Sequence, residues 1–330
     1  VKIIAEKSYQ YSYSYKKELK YIVRKYHKNK IKKFDEDIVT RKFTQLIKKF
    51  KIQNKINKNE ISFIGLSGQT IFHDPKNKKT IQLGSCRKIH KKLNIKIIGN
   101  FRDNDIRKGG QGAPIGAFYH KYIIENYIKN SAILNIGGIS NISFIEKKII
   151  TFDVGPGNCL IDKLMMKYYN KHYDKNGEKA FKGKINNKII NVFKNDIYFE
   201  KKYPKSLDKE YFNKYLKPLS IIKKTDSIST ATYMTVLSIK YAIEKFNIKA
   251  KNIYLTGGGR NNKYIFNKLK IILNKKNIKI KLIEKINFNG DMLESQAFGY
   301  IAARSYLKLP ISLPTTTGVK RATKGGIIYK

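Results

Sequence analysis

One carboxylate stands where a predicted strand ends and could act as a general base. The apolar run at 149–154 predicts a strand that ends near Asp153, and the Gly-Pro-Gly turn at 155–157 breaks it. A helix is predicted over 160–169. A carboxylate in this place lies at the usual ligand crevice of an open α/β sheet, where it can take a proton from water. The alternative is that Asp153 only caps the turn.

Charged residues before a glycine-rich turn form a second candidate site. Arg102, Asp103 and Asp105 precede the turn at 109–114, which contains Gln111. The arginine offers a rigid fork of donors, and carboxylates accept from hydroxyl groups, so the segment suits a polyhydroxylated ligand. The alternative is a surface loop with salt bridges of little energetic value.

A third polar loop follows the short buried strand predicted at 61–64. Small residues and Gln69 at the strand end indicate a loop that faces a ligand, and His73 comes four residues later. Taken alone, His73 is better explained as a surface histidine. A strand at 80–84 follows this loop.

Two further glycine turns are suited to a nucleotide. The segment 132–144 predicts strand, turn and strand around Gly137-Gly138, and the segment 251–256 predicts a strand that leads into Gly257-Gly258-Gly259 and a helix. Backbone N–H groups in such turns, and at a helix start, bind phosphates. A Gly-Gly hairpin alone is a weak signal. The chain has neither a P-loop nor a dinucleotide fingerprint, so we expect a different site in which the two turns face each other across a cleft.

The remaining pattern supplies elements to carry these loops. Apolar spacing predicts one or two amphipathic helices in 18–50, and a strand over 95–101. A helix over 117–129 is expected to form a hinge between domains. Thr225-Asp226 is expected to cap a long helix that ends near 246. Another helix is expected over 291–307, followed by a closing tail from 310.

The composition of the chain argues against a protein built on disulfides or metal sites and against one that spans a membrane. The 330 residues suffice for two domains, and the two cysteines form no metal or disulfide pattern, which suits a reducing cytoplasm. No apolar run reaches ~18 residues, so no membrane span is expected. The net charge of +45 comes from dispersed lysines among many Ile, Asn and Tyr residues, as A/T-rich codons would give. We therefore expect no specific nucleic-acid partner.

These motifs, in this order, resemble the bacterial anhydro-N-acetylmuramic acid kinases from about residue 60 to the end. The first half of the set consists of Gly68-Gln69-Thr70, His73, Asn100-Phe101-Arg102, Asp105 and the turn at 109–114. The second half consists of Gly137-Gly138, Phe152-Asp153, the turn at 155–158, Pro204-Lys205-Ser206, Gly257-Gly258-Gly259, Glu294, Leu313-Pro314 and Thr317-Gly318.

The resemblance implies a fold and a reaction. The fold is α/β, a two-domain actin-like (RNase H-like) ATPase with a central cleft, which we divide into 1–125 plus 308–330 and 126–307. The reaction uses ATP and Mg²⁺. Water opens the anhydro bridge of the sugar, and the freed 6-oxygen takes the γ-phosphate during cytoplasmic cell-wall recycling. The partners implied are an amino sugar and ATP, without a membrane, and the resemblance allows a homodimer.

The resemblance also assigns roles to residues. Asp153 matches the general base. The expected sugar contacts are Gln69, His73, Arg102, Asp105, Gln111 and Glu294. The expected nucleotide contacts are Gly137, Gly138, Asn141, Gly155, Gly257, Gly258 and Gly259. The sequence identifies no metal ligands.

The chain departs from the family pattern at two places. Family members begin with a strand and a Gly-Thr-Ser-x-Asp-Gly phosphate loop, which these residues lack, and Ser67 stands where the family usually has histidine. Val1 is not an initiator methionine, so we expect an N-terminally truncated kinase. The alternative is an inactive chain that binds sugar or nucleotide without turnover. A basic nucleic-acid-binding protein is a third hypothesis that rests on charge alone.

Overall fold

The computed structural model describes residues 1–26, 33–75, 77–208 and 210–330, and the fold is α/β. The helices are α1 Tyr13–Tyr26, α2 Lys33–Gln53, α3 Cys86–Leu93, α4 Asp103–Arg107, α5 Ala117–Tyr127, α6 Cys159–Tyr169, α7 Glu178–Phe181, α8 Asn187–Lys194, α9 Leu216–Ile221, α10 Lys224–Lys245, α11 Lys263–Asn274, α12 Leu293–Tyr306 and α13 Pro314–Thr317. The strands are β1 Ile64–Gly65, β2 Gln69–Asp74, β3 Lys79–Leu83, β4 Ile97–Gly99, β5 Ser131–Ile136, β6 Ile139–Ile145, β7 Ile149–Pro156, β8 Asn252–Thr256, β9 Lys279–Leu282 and β10 Ile327–Tyr329.

The chain divides into two compact units. Unit 1 consists of Val1–Tyr119 and Glu294–Lys330, and unit 2 consists of His120–Leu293. The predicted domain boundaries fell after residue 125 and after residue 307. The structure differs at the second boundary, because α12 from Glu294 onward belongs to unit 1, whereas the prediction placed it in the second domain. Within the described residues, no helix combines the length and the apolar character that spanning a membrane requires.

Unit 1 contains a small sheet and a separate hairpin. Strand β4 lies between β1, which is parallel to it, and β10, which is antiparallel, while β2 and β3 form the hairpin. The two amphipathic helices expected in 18–50 are confirmed as α1 and α2. Their apolar faces pack on the hairpin, with Ile22 and Val39 buried against Ile71 and Leu83.

Unit 2 is built on one five-stranded sheet of order β7-β6-β5-β8-β9. Strand β6 is antiparallel to both neighbours, whereas β5, β8 and β9 are parallel. Strands β5, β7 and β8 therefore all end at the same edge. All eight residues of β7 are buried, because α6 and α10 cover the apolar face of the sheet.

Helix α10 differs from its expected start. The helix begins at Lys224, and its N-cap is Lys223, which makes no side-chain cap bond, so the expected cap at Thr225-Asp226 is wrong. The Asp226 carboxylate instead accepts the backbone N–H of Lys184 at 2.9 Å. The Asp226 carboxylate, which the local pattern predicted as a helix cap, is thus used in a contact with a residue distant in sequence.

Strand β7 is longer than the pattern predicted. It runs through Gly155 and Pro156. Its pairing with β6 shifts register between Ser140 and Asn141, which accommodates one extra residue of β7 between Asp153 and Gly155. The strand has glycine at position 155 because a Cβ there would lie 2.4 Å from the Ser238 side chain of α10. The glycine therefore allows sheet and helix to pack closely.

Candidate active site

A row of four polar residues crosses the carboxyl edge of the unit 2 sheet. Asp153 on β7 pairs with Asn141 on β6, which pairs with Asn135 on β5, which pairs with Thr256 on β8. Residues directly opposite on neighbouring strands share a face of the sheet. Phe152, one residue earlier, belongs to the apolar core on the other face. The row brings the predicted base and the predicted contact Asn141 together.

Asp153 is held by a loop that lies far along the chain. Its side-chain Oδ2 accepts the backbone N–H of Leu207 at 2.8 Å, and its own N–H donates to the Lys205 carbonyl at 3.0 Å. The Tyr198 hydroxyl donates to the Asp153 carbonyl at 2.6 Å. Only 7% of Asp153 is exposed. The carboxylate is thereby fixed at the sheet edge, and Pro204-Lys205-Ser206, whose function could not be read from the sequence, forms part of its support.

A second polar row lies behind the first. His120 on α5 is hydrogen-bonded through Nδ1 to Ser143 Oγ at 2.7 Å, and Thr151 Oγ1 donates to the same oxygen at 2.8 Å. Burial lowers the pKa of His120 to about 4. The imidazole is therefore neutral at pH 7 and is occupied in a buried network.

The turn after β5 is bound to the start of helix α6. Asn158 N–H donates to the Gly137 carbonyl at 2.7 Å, and the N–H groups of Gly157 and Cys159 donate to the Gly138 carbonyl at 3.0 and 3.1 Å. A Cβ on Gly157 would lie 2.1 Å from the Gly137 carbonyl oxygen. The Gly-Pro-Gly segment and the Gly137-Gly138 turn thus form one backbone-bonded unit.

The second glycine turn lies beside the first. Gly257 has φ of 75°, and a Cβ there would lie 2.3 Å from Asn135 Oδ1 and 2.8 Å from the Ile136 carbonyl oxygen. Among the residues that the structure describes, and apart from the adjoining backbone, no atom lies within 4 Å of a Cβ built on Gly258. The two turns are neighbours on one sheet edge within unit 2, which differs from the expected placement on facing walls of a cleft.

An arginine that the sequence patterns did not single out holds the second turn. Arg260 is buried, and its Nη1 donates to the Gly257 carbonyl at 3.0 Å and to Asp291 Oδ1 at 2.7 Å, while its Nε donates to Glu284 Oε1 at 2.7 Å. The hydrogen bond from Arg260 lowers the pKa of Asp291. The signal for this arginine lay only in its position directly after three glycines.

Asp105, an expected sugar contact, is buried in unit 1 and braces two loops. Its Oδ1 accepts the N–H of Gly112 at 2.6 Å, and its Oδ2 accepts the Thr317 hydroxyl at 2.6 Å. Its carbonyl oxygen accepts the N–H of Gly110 at 2.9 Å. With 1% of the residue exposed, this geometry favours positioning of the glycine-rich turn over direct contact with a ligand.

The other expected sugar contacts lie beside the same turn, at the start of a strand or at helix starts. His73 on β2 is hydrogen-bonded through Nδ1 to Thr80 Oγ1 at 3.3 Å, and its Cε1 lies 3.4 Å from a Cβ built on Gly112. Gln111 N–H donates to the Thr317 carbonyl at 2.7 Å. The rest are half-buried Gln69 at the start of β2, half-buried Arg102 directly before α4, and exposed Glu294 in the first turn of α12.

The expected contacts separate by unit. Every expected sugar contact lies in unit 1, and Asp153 and every expected nucleotide contact lie in unit 2. The predicted division of the chain made the same separation except for Glu294, which it placed in the second domain and which lies in unit 1.

Comparison with known proteins decides the family. The sequence model of the anhydro-N-acetylmuramic acid kinases matches residues 1–330. The chain belongs to the anhydro-N-acetylmuramic acid kinase family. The enzyme of that name from Coxiella burnetii is 34% identical over 83% of this chain and 76% of the relative. The one from Pelagibacter ubique is 38% identical over 85% of this chain and 78% of the relative.

A sugar kinase of known structure is a distant neighbour. Ligand-bound xylulose kinase from Lactobacillus acidophilus aligns with a TM-score of 0.37 at 14% identity, over 78% of this chain and 51% of that chain. So low a TM-score defines no fold. Membership of the anhydro-N-acetylmuramic acid kinase family and the mixed α/β architecture are both as the sequence predicted.

We expect Asp105→Ala to destabilise this kinase-family protein by about 2 kcal/mol, since a buried N–H and a buried hydroxyl would lose their acceptor. Asp105→Asn should cost less, because an amide can accept from Gly112 and donate to the Thr317 hydroxyl. Thermal unfolding of both variants measures the effect. If Asp105 only touched sugar, Asp105→Ala would keep the parent melting temperature and alter sugar binding alone.

We expect Gly258→Ala to leave the melting temperature unchanged and to raise the KM for ATP by about tenfold, since the methyl group would occupy open space beside the turn. Gly257→Ala is the matched variant, and it should unfold at lower temperature because φ is positive and the neighbouring backbone is close. Steady-state kinetics with varied ATP tests this. Parent-like KM values in Gly258→Ala would remove the nucleotide from this turn.

Proposed function

We propose that the protein is an ATP-dependent kinase that opens 1,6-anhydro-N-acetylmuramic acid with water and phosphorylates its 6-oxygen. The product is N-acetylmuramic acid 6-phosphate, and the reaction serves cell-wall recycling in the cytoplasm. The observation that carries the proposal is the family match over residues 1–330. The carboxyl edge of the unit 2 sheet supports it, because a fixed carboxylate and two glycine turns lie there together.

The chemistry we assign to Asp153 is proton transfer. Water attacks the anomeric carbon of the sugar, and its proton passes to the Asp153 carboxylate. The bond from that carbon to the bridging oxygen breaks, and the released 6-oxygen bonds to the γ-phosphorus of ATP as ADP leaves. General-base help of this kind contributes on the order of 10²–10⁴-fold in rate.

We assign ATP to the two glycine turns of unit 2. Gly258 has open space beside it, and Arg260 and Asn135 fix the conformation of the turn that contains it. Helix α11 begins with Lys263, shortly after this turn, but the N–H groups of Tyr264 and Ile265 already donate to Asn262 Oδ1 at 3.0 and 3.2 Å, so the assignment rests on the turn itself. Preformed donors suit phosphoryl transfer, in which positioning supplies most of the catalysis.

Mg²⁺ fits this site only when it binds together with ATP. Across the described ranges, no group of three or more His, Cys, Asp or Glu side chains could hold a metal ion. Magnesium commonly binds through substrate phosphates and one or two carboxylates and keeps several waters. We therefore propose that it binds with the nucleotide, where it would neutralise phosphate charge.

We assign the sugar to unit 1. Half-buried Arg102 offers a planar fork of donors, His73 and Gln111 add polar groups at the turn that Asp105 braces, and Gln69 lies at the start of the strand that carries His73. Exposed Glu294 can accept from hydroxyl groups of the sugar. Asp105 acts through the turn that it holds.

The proposal is tested by supplying the protein, as its gene encodes it, with ATP, Mg²⁺ and the anhydro sugar. We expect sugar-dependent release of ADP and a product heavier than the anhydro sugar by one water and one phosphate group in mass spectrometry. Binding of sugar or nucleotide without product would support the non-catalytic alternative. Phosphorylation without added water would refute the hydrolytic reaction.

A further inference from the structure

A buried lysine lies against the edge of the strand that holds Asp153. Only 6% of Lys205 is exposed, and its Nζ donates to the Tyr198 carbonyl at 3.3 Å. The same Nζ lies 4.4 Å from the Tyr198 ring centroid, 5.3 Å from that of Phe246 and 5.8 Å from that of Phe152. Lysine is almost never buried unless it is paired, so this position calls for an explanation beyond surface charge.

Lys205 and Tyr198 close a ring of hydrogen bonds around Asp153. The Tyr198 hydroxyl donates to the Asp153 carbonyl, Asp153 N–H donates to the Lys205 carbonyl, and Lys205 Nζ donates back to the Tyr198 carbonyl. Leu207, two residues after the lysine, donates its N–H to the Asp153 carboxylate. Loss of the Lys205 side chain would remove the bond to the Tyr198 carbonyl and with it one tie that holds this loop beside Asp153.

Charged groups from strand β7, the end of helix α10 and the loop at 200–201 act on Lys205. Burial, followed by Lys245 at the end of α10 and by Lys201, lowers the pKa of the Lys205 ammonium group to about 8, while Asp153 on β7 and Glu200 raise it. The Coulomb attraction between Lys205 and Asp153 acts equally on both groups, so the cation favours the ionised carboxylate. The cation is present at neutral pH and is lost as the pH rises through about 8.

We propose that Lys205 and Tyr198 are positioning residues for Asp153. The buried ammonium group orders the loop that fixes the carboxylate and keeps that carboxylate ready to accept a proton. The inference rests on the proposed function, because it requires Asp153 to be the base.

The test compares Lys205→Met and Lys205→Arg with Lys201→Met. Lys201 is exposed, and its Nζ lies 5.9 Å from the centroid of the same Tyr198 ring, so it gives a matched loss of charge. We expect Lys205→Met to lower kcat by on the order of 10²-fold with little change in the KM of either substrate. The alkaline limb of its kcat profile near pH 8 should disappear, because the ammonium group that titrates there is gone. Lys205→Arg should recover part of kcat, and Lys201→Met should keep the parent kcat while its alkaline limb moves to higher pH, because Lys201 lowers the pKa of Lys205.

Tyr198→Phe provides a second variant that keeps the ring and the fold. It should lower kcat, since the hydroxyl that holds the Asp153 carbonyl is gone. An active parent with an unchanged kcat and pH profile in Lys205→Met, or an equal effect of Lys201→Met, would overturn this inference alone. A parent that forms no sugar phosphate would overturn the proposed function, and this inference would fall with it.

Discussion

Asp153→Asn is expected to lower kcat by on the order of 10²–10⁴-fold while the KM values for sugar and ATP stay close to those of the parent. Asparagine keeps the size of the side chain, and its amide oxygen can still accept the Leu207 N–H. It cannot take a proton from water. The loss should therefore fall on the chemical step, which single-turnover phosphorylation of the anhydro sugar measures.

Asp208→Asn is the matched control for this substitution. Asp208 directly follows Leu207 in the same loop, but it is exposed, so its amide should leave turnover unchanged. Calorimetric binding of sugar and ATP to Asp153→Asn should give parent-like affinities. Turnover within about threefold of the parent, well short of the general-base range, would show that Asp153 serves only the fold.

Gly157→Ala is expected to cost about 3 kcal/mol of stability or more and to abolish turnover, because its Cβ would lie 2.1 Å from the Gly137 carbonyl oxygen. The clash is between backbone and Cβ, so no side-chain rotation relieves it. The Gly137-Gly138 turn would have to move, and its bonds to Asn158 and Cys159 would break. Melting temperature and steady-state kinetics measure the two effects.

Gly299→Ala serves as the control for adding a methyl group to a glycine. Gly299 lies inside α12, and within the described residues no atom outside its own stretch of helix lies within 4 Å of the added Cβ, so alanine should be neutral or stabilise the helix by up to about 1 kcal/mol. A parent-like melting temperature for Gly157→Ala would mean that the two turns are not bound as the structure has them.

The local part of the site was predictable because it depends on neighbours in sequence. Glycines after short apolar strands located both turns, and the pattern of its own segment placed Asp153 on a strand, although that strand continues to Pro156. The row from Asp153 to Thr256 was not predictable, because it requires β5 to pair with β8, and these strands are far apart in the sequence. Strand β10 was not predicted for the same reason, since it lies at the end of the sequence and pairs with β4, more than 200 residues earlier.

The supporting residues could not be found from spacing. The family motif Pro204-Lys205-Ser206 includes Lys205 but assigns it no role, and its burial against Tyr198 and Phe246 is what suggests one. Asp105 was read as a sugar contact because carboxylates before a glycine turn suit hydroxyl groups, whereas both of its oxygens are engaged with Gly112 and Thr317. Burial depends on tertiary packing, which one sequence does not disclose.

The most direct test of the proposed reaction follows oxygen from solvent. A single turnover in ¹⁸O-labelled water, quenched and examined by mass spectrometry, shows which atom the water attacks. We expect one ¹⁸O in the sugar at its anomeric carbon and none in the phosphate group, with Asp153→Asn giving neither labelled sugar nor sugar phosphate in the same time. Label in inorganic phosphate, or sugar phosphate without label, would contradict a base at Asp153 that directs water to the sugar.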